Sequence, residues 1–350
     1  MNHELAAKLN SAGLKSFEDG DLTNAISLLK DSYLNWADEV GILVNLGLAF
    51  MQSGLDYKAE RCYRRALKSS DIKTKRAAYK NLGFVHLWRG EWELGWRHHG
   101  KRFKGEDFEK NQWRGDALNG KPLIIWNDVG IGDAFQFVRY TKLLKQRGEK
   151  VIFAVDKSQL NIFREHLCWE IDGIVDRDSI MPLHKQSQHI PLMSLIGVVD
   201  PETTWGKEFA ELTWNLPSLM QKKIGLCWES NSNDKTMFKY KSKSLNNLIN
   251  DAKISEGNER EKYLSLQANE QAEHKKYNLN PPTLNWIDTL YRISTCKIVH
   301  SVDTAVAHLA AGSGIPVQLH LGDVYDWRWK GSHPHWYPSI KINQFTHLNQ

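Results

Sequence analysis

The sequence predicts an α/β chain in which an all-α helical solenoid precedes two α/β domains. Three observations carry that expectation. A pattern of leucine, alanine and glycine recurs three times in the first hundred residues. At Lys121 the hydrophobic period changes from helical to strand, loop, helix, strand. The same order returns near the end, in the stretch Val299 to Val317, VHSVDTAVAHLAAGSGIPV.

The repeat is exact in spacing. Leu9, Ala12, Gly13, Gly20 and Ala25 recur 34 positions later as Leu43, Leu46, Gly47, Gly54 and Ala59. A third copy, shifted by a further 36, has Leu82, Gly83 and Gly90, with Gly95 in the alanine place. The first glycine of each copy suits close helix packing, and the second suits the turn between paired helices. The pattern resembles the tetratricopeptide repeat (TPR). Each hairpin needs a neighbour to cover its apolar face, so residues 1–112 are expected to stack as a short solenoid. Its groove would bind a partner protein or only support the following domain, and both readings stay open. In the third copy Trp92 and Trp96 are expected in the core, with His98, His99 and Arg102 forming a solvated basic edge. Adjacent histidines on a helix point apart, which argues against a shared metal ion.

Lys104 to Gly120 is polar and turn-rich and reads as a linker. Residues 113–218 form the expected first α/β domain. Pro122 to Trp126 is a buried strand, Asn127 to Gly132 a glycine-containing loop, and Ala134 to Arg147 an amphipathic helix. Lys150 to Val155 is the next strand. The loop holds Asp128, Gly130, Gly132 and Asp133, but Phe135 stands where a dinucleotide fingerprint needs its third glycine. Ser158 to His166 reads as helix, Ile171 to Val175 as extended, His189 to Leu195 as a short buried element, and Pro201 to Pro217 as a connector with Trp205 and Trp214.

Residues 219–350 form the expected second α/β domain. Ile224 to Trp228 is a strand ending in a polar loop, Glu229 to Lys243, and Tyr263 to Leu266 is the following strand. Asn250 to Lys262 is rich in charged and small polar residues and is expected to be partly disordered. Trp286 to Ile293 is helical. Lys297 to Ser301 is a strand, Asp303 and Thr304 sit at a helix N-cap ahead of Ala305, and Gly312 and Gly314 end that helix. A strand feeding a helix leaves open N–H groups and the positive helix end at the strand's carboxyl end, which suits a phosphate. His308 lies one turn further in. Asp326, Trp327, Arg328, Trp329, Trp336 and Tyr337 make a dense aromatic and charged cluster near the end.

Composition narrows the function classes. A net charge of +5 without a long basic run interleaved with aromatics argues against a nucleic-acid protein. The four cysteines are far apart with no CxxC pair, so a zinc ribbon or dense disulfide framework is not expected and a reducing cytoplasm is the simplest location. Neither a leader-type apolar stretch nor an uninterrupted spanning stretch is present, so any contact with the inner membrane would be peripheral.

With these pieces placed, nearly the whole chain resembles the bacterial TPR-linked glycosyltransferases related to glycosyltransferase family 9, the heptosyltransferase-like group. The resemblance runs through GEWELGW (Gly90 to Trp96), QWRGDALNGKPLIIW (Gln112 to Trp126) and GIGDAFQFVRY (Gly130 to Tyr140). It continues with LSLQ (Leu264 to Gln267), SVDTAVAHLA (Ser301 to Ala310), DWRW and WYPS. It implies two Rossmann-like domains in the GT-B arrangement and inverting sugar transfer from a nucleotide-diphosphate sugar, with no cofactor and no obligatory metal. The acceptor would be a glycan, a lipid-linked glycan or a protein. Asp133 matches the family's base. Lys243 matches its basic-Ser-aliphatic step, with Lys239 and Lys241 as substitutes. Thr304, Ala305 and His308 would receive the diphosphate, Asp303 would hold the loop or a ribose hydroxyl, and Ser265 and Gln267 would line the base pocket or satisfy backbone groups. Two departures stand out. Glu229 and Ser230 replace a small pair, and the loop after them carries lysines in place of arginine. A TPR adaptor with an inactive transferase-like region is the competing reading.

Overall fold

The computed structural model describes residues 2–180, 187–203, 212–230, 235–251, 263–269, 272–277, 279–330 and 336–345. The chain divides into two compact units. The first is Met1–Lys110 together with Pro201–Thr203 and Asp326–Arg328; the second is Asn111–Asp200, Thr204–Tyr325 and Trp329–Gln350.

The first unit contains six helices: α1 (His3–Glu18), α2 (Leu22–Asn35), α3 (Ile42–Gln52), α4 (Asp56–Ala66), α5 (Ile72–Trp88) and α6 (Trp92–His99). Each packs against the next. The two repeat glycines have separate physical jobs. A Cβ at Gly47 would lie 2.4 Å from the Tyr63 ring, and one at Gly83 would lie 2.7 Å from the backbone of His99, so the paired helices approach too closely for a side chain. Gly20, Gly54 and Gly90 turn the chain with φ of 84°, 72° and 76°. Between the helices, Leu29, Leu43, Leu46, Phe50, Tyr63 and Leu82 form the core.

The third pair departs from expectation. His99 and Arg102 are buried, not solvated. Because Gly83 admits α6 so closely, His99 passes under α5, and Arg102 donates to its carbonyl at 2.9 Å. Burial pushes the His99 imidazole well below its ordinary pKa. Trp96 is buried as expected, and its indole donates to the Thr203 hydroxyl at 2.8 Å while its ring meets Trp327 edge-on at 5.4 Å.

The second unit holds two parallel sheets. The first is built from β1 (Leu123–Trp126), β2 (Val151–Val155), β3 (Gly173–Asp176) and β4 (His189–Pro191), in the order β3-β2-β1-β4. Leu123 pairs with Val151, and Ile124 with His189. All four residues of β1 are buried, as a strand covered on both faces requires. The expected long helix after β1 is broken into α7 (Ile131–Phe137), a 3-10 turn at Val138–Tyr140, and α8 (Thr141–Gln146). The remaining helices of this half among the described residues are α9 (Leu160–His166), α10 (Arg177–Ile180) and α11 (Leu192–Val199).

The second sheet runs β6-β5-β7-β8-β9, with β5 (Lys223–Cys227), β6 (Tyr263–Ser265), β7 (Cys296–Val302), β8 (Val317–Leu321) and β9 (Ile340–Gln344). Its helices are α12 (Lys235–Lys241), α13 (Leu245–Asp251), α14 (Ala272–Lys276), α15 (Trp286–Ser294) and α16 (Ala305–Gly312). The stretch expected as a polar loop after β5 therefore contains α12. Asn250 and Asp251, expected to be partly disordered, end α13, while 252–262 lies outside the described residues, as does Trp205. Gly225 in β5 is needed for packing, since a Cβ there would come 2.7 Å from Leu266 and 3.1 Å from Cys296 Sγ. Among the described residues no helix is long and apolar enough to cross a membrane.

Candidate functional site

In an open parallel sheet, ligands bind beyond the carboxyl ends of the strands where the strand order reverses. Here the chain runs outward from β1 through β2 and β3, then returns to the other side of β1 with β4. In the second sheet it runs from β5 to β6, then returns with β7 on the opposite side of β5. The two reversal points are thus served by the loops after β1, β5 and β7. These loops carry Asp128, Gly130, Glu229, Asp303 and Thr304.

After β1, the Asn127 side chain closes a tight turn, donating to the Val129 carbonyl at 3.1 Å. Asp128 accepts from the Met193 N–H at 3.2 Å and so caps α11. Asp133 is half-buried in the first turn of α7, where its Oδ2 accepts from the Gly130 N–H at 3.0 Å. Gly132 is one point of contact with the second sheet's helices. A Cβ there would lie 3.0 Å from His308 Cδ2 and 3.2 Å from Ala305 Cα. The openings of α7 and α16 therefore abut, and glycine is what lets them.

On the α16 side, Thr304 is the N-cap in extended backbone, but its hydroxyl lies 3.0 Å from Ser301 Oγ and makes no side-chain cap. The Ala307 N–H bonds the Thr304 carbonyl at 3.1 Å, and the N–H groups ahead of it lie at the positive end of the helix. Asp303 is buried and pairs with Lys241 at 2.6 Å. The ion pair offsets the carboxylate that would otherwise repel an anion at this helix end. Lys243 has other side-chain partners. It is buried, pairs with Asp251, and places Nζ 4.3 Å over the Phe345 ring. Among the described residues, Lys241 is the lysine paired with Asp303 beside the start of α16.

Ser265 and Gln267 do not present free polar groups in this geometry. Ser265 Oγ lies 2.9 Å from His274 Nε2, and its N–H donates to Asn280 at 2.7 Å. Gln267 Oε1 accepts from the N–H groups of Trp228 and Glu229 at 3.1 and 3.3 Å and from Cys227 Sγ at 3.0 Å. It ties the end of β5 to β6. Burial pushes the Cys227 thiol up to about 11, which keeps it protonated.

His308 is buried with Trp329 stacked on its ring at 5.3 Å, and its Nδ1 lies 3.1 Å from the Tyr337 hydroxyl. Beneath Tyr337 lies Arg139, a residue to which the sequence reading assigned no role. Its guanidinium sits 4.6 Å over the Tyr337 ring, and it donates to the Trp336 carbonyl at 2.6 Å and the Gln136 carbonyl at 2.8 Å. Arg139 is only 1% exposed, and burial lowers its pKa. A lone arginine inside the apolar run FQFVRY was the available signal, because a buried guanidinium must find several acceptors. Among the described residues no group of three His, Cys, Asp or Glu side chains is placed to hold a metal ion.

The sequence matches no protein-family model and no curated protein. Several solved structures resemble it. A glycosyl transferase family 9 protein from Veillonella parvula is 9% identical with a TM-score of 0.45, over 68% of this chain and 88% of its own. The E. coli heptosyltransferase WaaC with ADP is 12% identical with a TM-score of 0.40, over 64% of this chain and 93% of its own. An O-GlcNAc transferase mutant from Thermobaculum terrenum is 11% identical with a TM-score of 0.29, over 97% of this chain and 87% of its own.

Proposed function

We propose that the chain is a glycosyltransferase that moves a sugar from a nucleotide-diphosphate donor to a glycan, lipid-linked or protein acceptor. The observation that carries this reading is the contact at Gly132, where the loop holding Asp133 meets the opening of α16. A carboxylate and an anion-receptive helix start are the two groups that an inverting transfer requires, one to take the acceptor's proton and one to stabilise the departing diphosphate. Two of the stretches that resemble the family 9 transferases, GIGDAFQFVRY and SVDTAVAHLA, hold these groups. In this reading Asp133 is the base, Thr304 to His308 receive the diphosphate, and Lys241 supplies the neighbouring cation. Residues 113–218 and 219–350 act as the acceptor-side and donor-side domains, and residues 1–112, a TPR solenoid, select the acceptor.

A second reading has support of its own. Asp133 and Lys243 both make structural contacts, with Gly130 and Asp251, which suits a protein that binds nucleotide or a partner without turnover. Thermal unfolding with ADP, UDP, GDP and CMP tests the first step. A nucleotide at 100 times its dissociation constant adds about 2.7 kcal/mol of stability. No shift with any of them removes the transferase reading. Donor hydrolysis then separates the two readings: Asp133→Asn abolishes turnover in a transferase, whereas a binding protein shows none to lose.

A further inference from the structure

We infer that the exposed face of α4 is a docking surface for an acidic helical segment of a partner protein. The surface lies in the first unit and does not depend on the transferase reading.

Charge is unevenly placed along the chain. Residues 56–104 hold fourteen Lys and Arg against five Asp and Glu, a net charge of +9, so the remainder sums to −4. Part of this charge forms a row. Lys58, Arg61 and Arg65 recur at intervals of three and four residues, which places them on one side of α4, and Lys68 follows in the turn after it. All four residues are exposed, and among the described residues none of them takes part in an ion pair. The two acids of α4 are engaged elsewhere: Asp56 pairs with Arg89, and Glu60 with both Arg89 and Arg64. Uncompensated cations this close repel one another, a cost that a facing row of carboxylates reverses.

The row is also held in shape. Lys58 Nζ lies 5.8 Å from the centre of the Phe50 ring, and Arg65 Cζ lies 5.3 Å from that of Tyr33. With the cations packed on aromatic faces of neighbouring helices, less entropy is lost when a partner fixes them. A fluid bilayer adapts its charges to any arrangement and gains nothing from this order, whereas carboxylates at fixed spacing do. Lys58 to Arg65 spans about 10 Å at the helical rise, so a matching helix carries acids at three- and four-residue intervals. Beside the row Tyr57 is 71% exposed, with the Arg89 guanidinium 4.0 Å over its ring. Exposed tyrosine next to ordered arginines is the composition that protein–protein contacts favour.

The test measures binding of two fluorescein-labelled, alanine-based peptides to the full chain at low salt, where charge is least screened. One carries Glu at three- and four-residue intervals along one helix face; the other has the same composition with its Glu residues consecutive. The first should bind about fivefold or more tighter, and its affinity should fall as salt is raised. Arg61→Glu combined with Lys68→Glu, neither residue belonging to the ring contacts, should weaken it about tenfold or more. Arg61→Gln alone should weaken it about two- to fivefold, and it decides the matter if circular dichroism shows the double reversal to have lost helix. Lys73→Glu combined with Lys80→Glu reverses exposed cations of α5 and should leave the affinity within about twofold. Equal affinity for the two peptides, an equal loss in the α5 variant, or no binding at all overturns the inference. So does binding to vesicles of phosphatidylcholine and phosphatidylglycerol without binding to the first peptide, which would make the row a membrane contact.

Discussion

Two lysines that look interchangeable in the sequence have different duties in the fold. Lys241 pairs with Asp303 beside the opening of α16, whereas Lys243 is spent on Asp251 and Phe345. Lys241→Ala should therefore weaken nucleoside-diphosphate binding about tenfold or more, the worth of one charge-assisted hydrogen bond, as measured by calorimetric titration. Lys243→Ala should leave that affinity unchanged and lower stability by about 1–3 kcal/mol in urea unfolding. The reverse pattern would return Lys243 to the donor side. Gly132→Val should impair nucleotide binding through geometry alone, because its side chain would collide with Ala305 and His308. The sequence marked this loop, and the cap at Thr304, through local spacing. It could not separate Lys241 from Lys243, since which of them reaches Asp303 depends on α12, formed within a stretch that reads as polar loop. Arg139 escaped notice for a related reason: its partners, Trp336 and Tyr337, lie nearly two hundred residues away.

Among the elements, β7 and β8 carry a feature separate from the proposed site. His300 Nδ1 and His320 Nε2 lie 3.3 Å apart, and burial pushes the two imidazoles down to about 4 and about 3. Lys243, just before α13, and Asp251, at its end, face His320. Folded histidines with lowered pKa values bind fewer protons than the unfolded chain. Stability is thus unaffected above the unfolded pKa near 6.5 and falls as pH drops from there toward 4, by up to about 1.4 kcal/mol per pH unit for each histidine. Urea unfolding between pH 7 and pH 4.5 should show this slope, and His320→Gln should reduce it; an equal slope in the variant would assign the loss to other groups. Strands β1, β2 and β5 were legible as nearly continuous apolar runs, whereas β9, whose apolar residues alternate with polar ones, was not expected. The break between α7 and α8 was not, because Phe137, Tyr140, Leu143 and Leu144 keep helical spacing through it.

For the whole molecule, the repeat period announced the six helices, but not the two short segments that complete their unit. Pro201–Thr203 and Asp326–Arg328 belong with residues 1–110, where Thr203 and Trp327 cover Trp96. Trp327 is 4% exposed, so Trp327→Ala in the full chain should cost about 3–5 kcal/mol and lower the unfolding transition followed by far-UV circular dichroism. A near-neutral effect would mean the helices are sufficient on their own. No local pattern could have revealed this recruitment, since three-residue segments have no period. It also bears on the birth of the protein. Domains ordinarily mature as they leave the ribosome, at roughly 5–20 residues per second. This helical unit is made first, and Trp327 follows about 220 residues after Lys110, a delay of roughly ten to forty seconds. Until then Trp96 lacks part of its cover, and a nascent chain arrested before that point is the form in which chaperones would meet it.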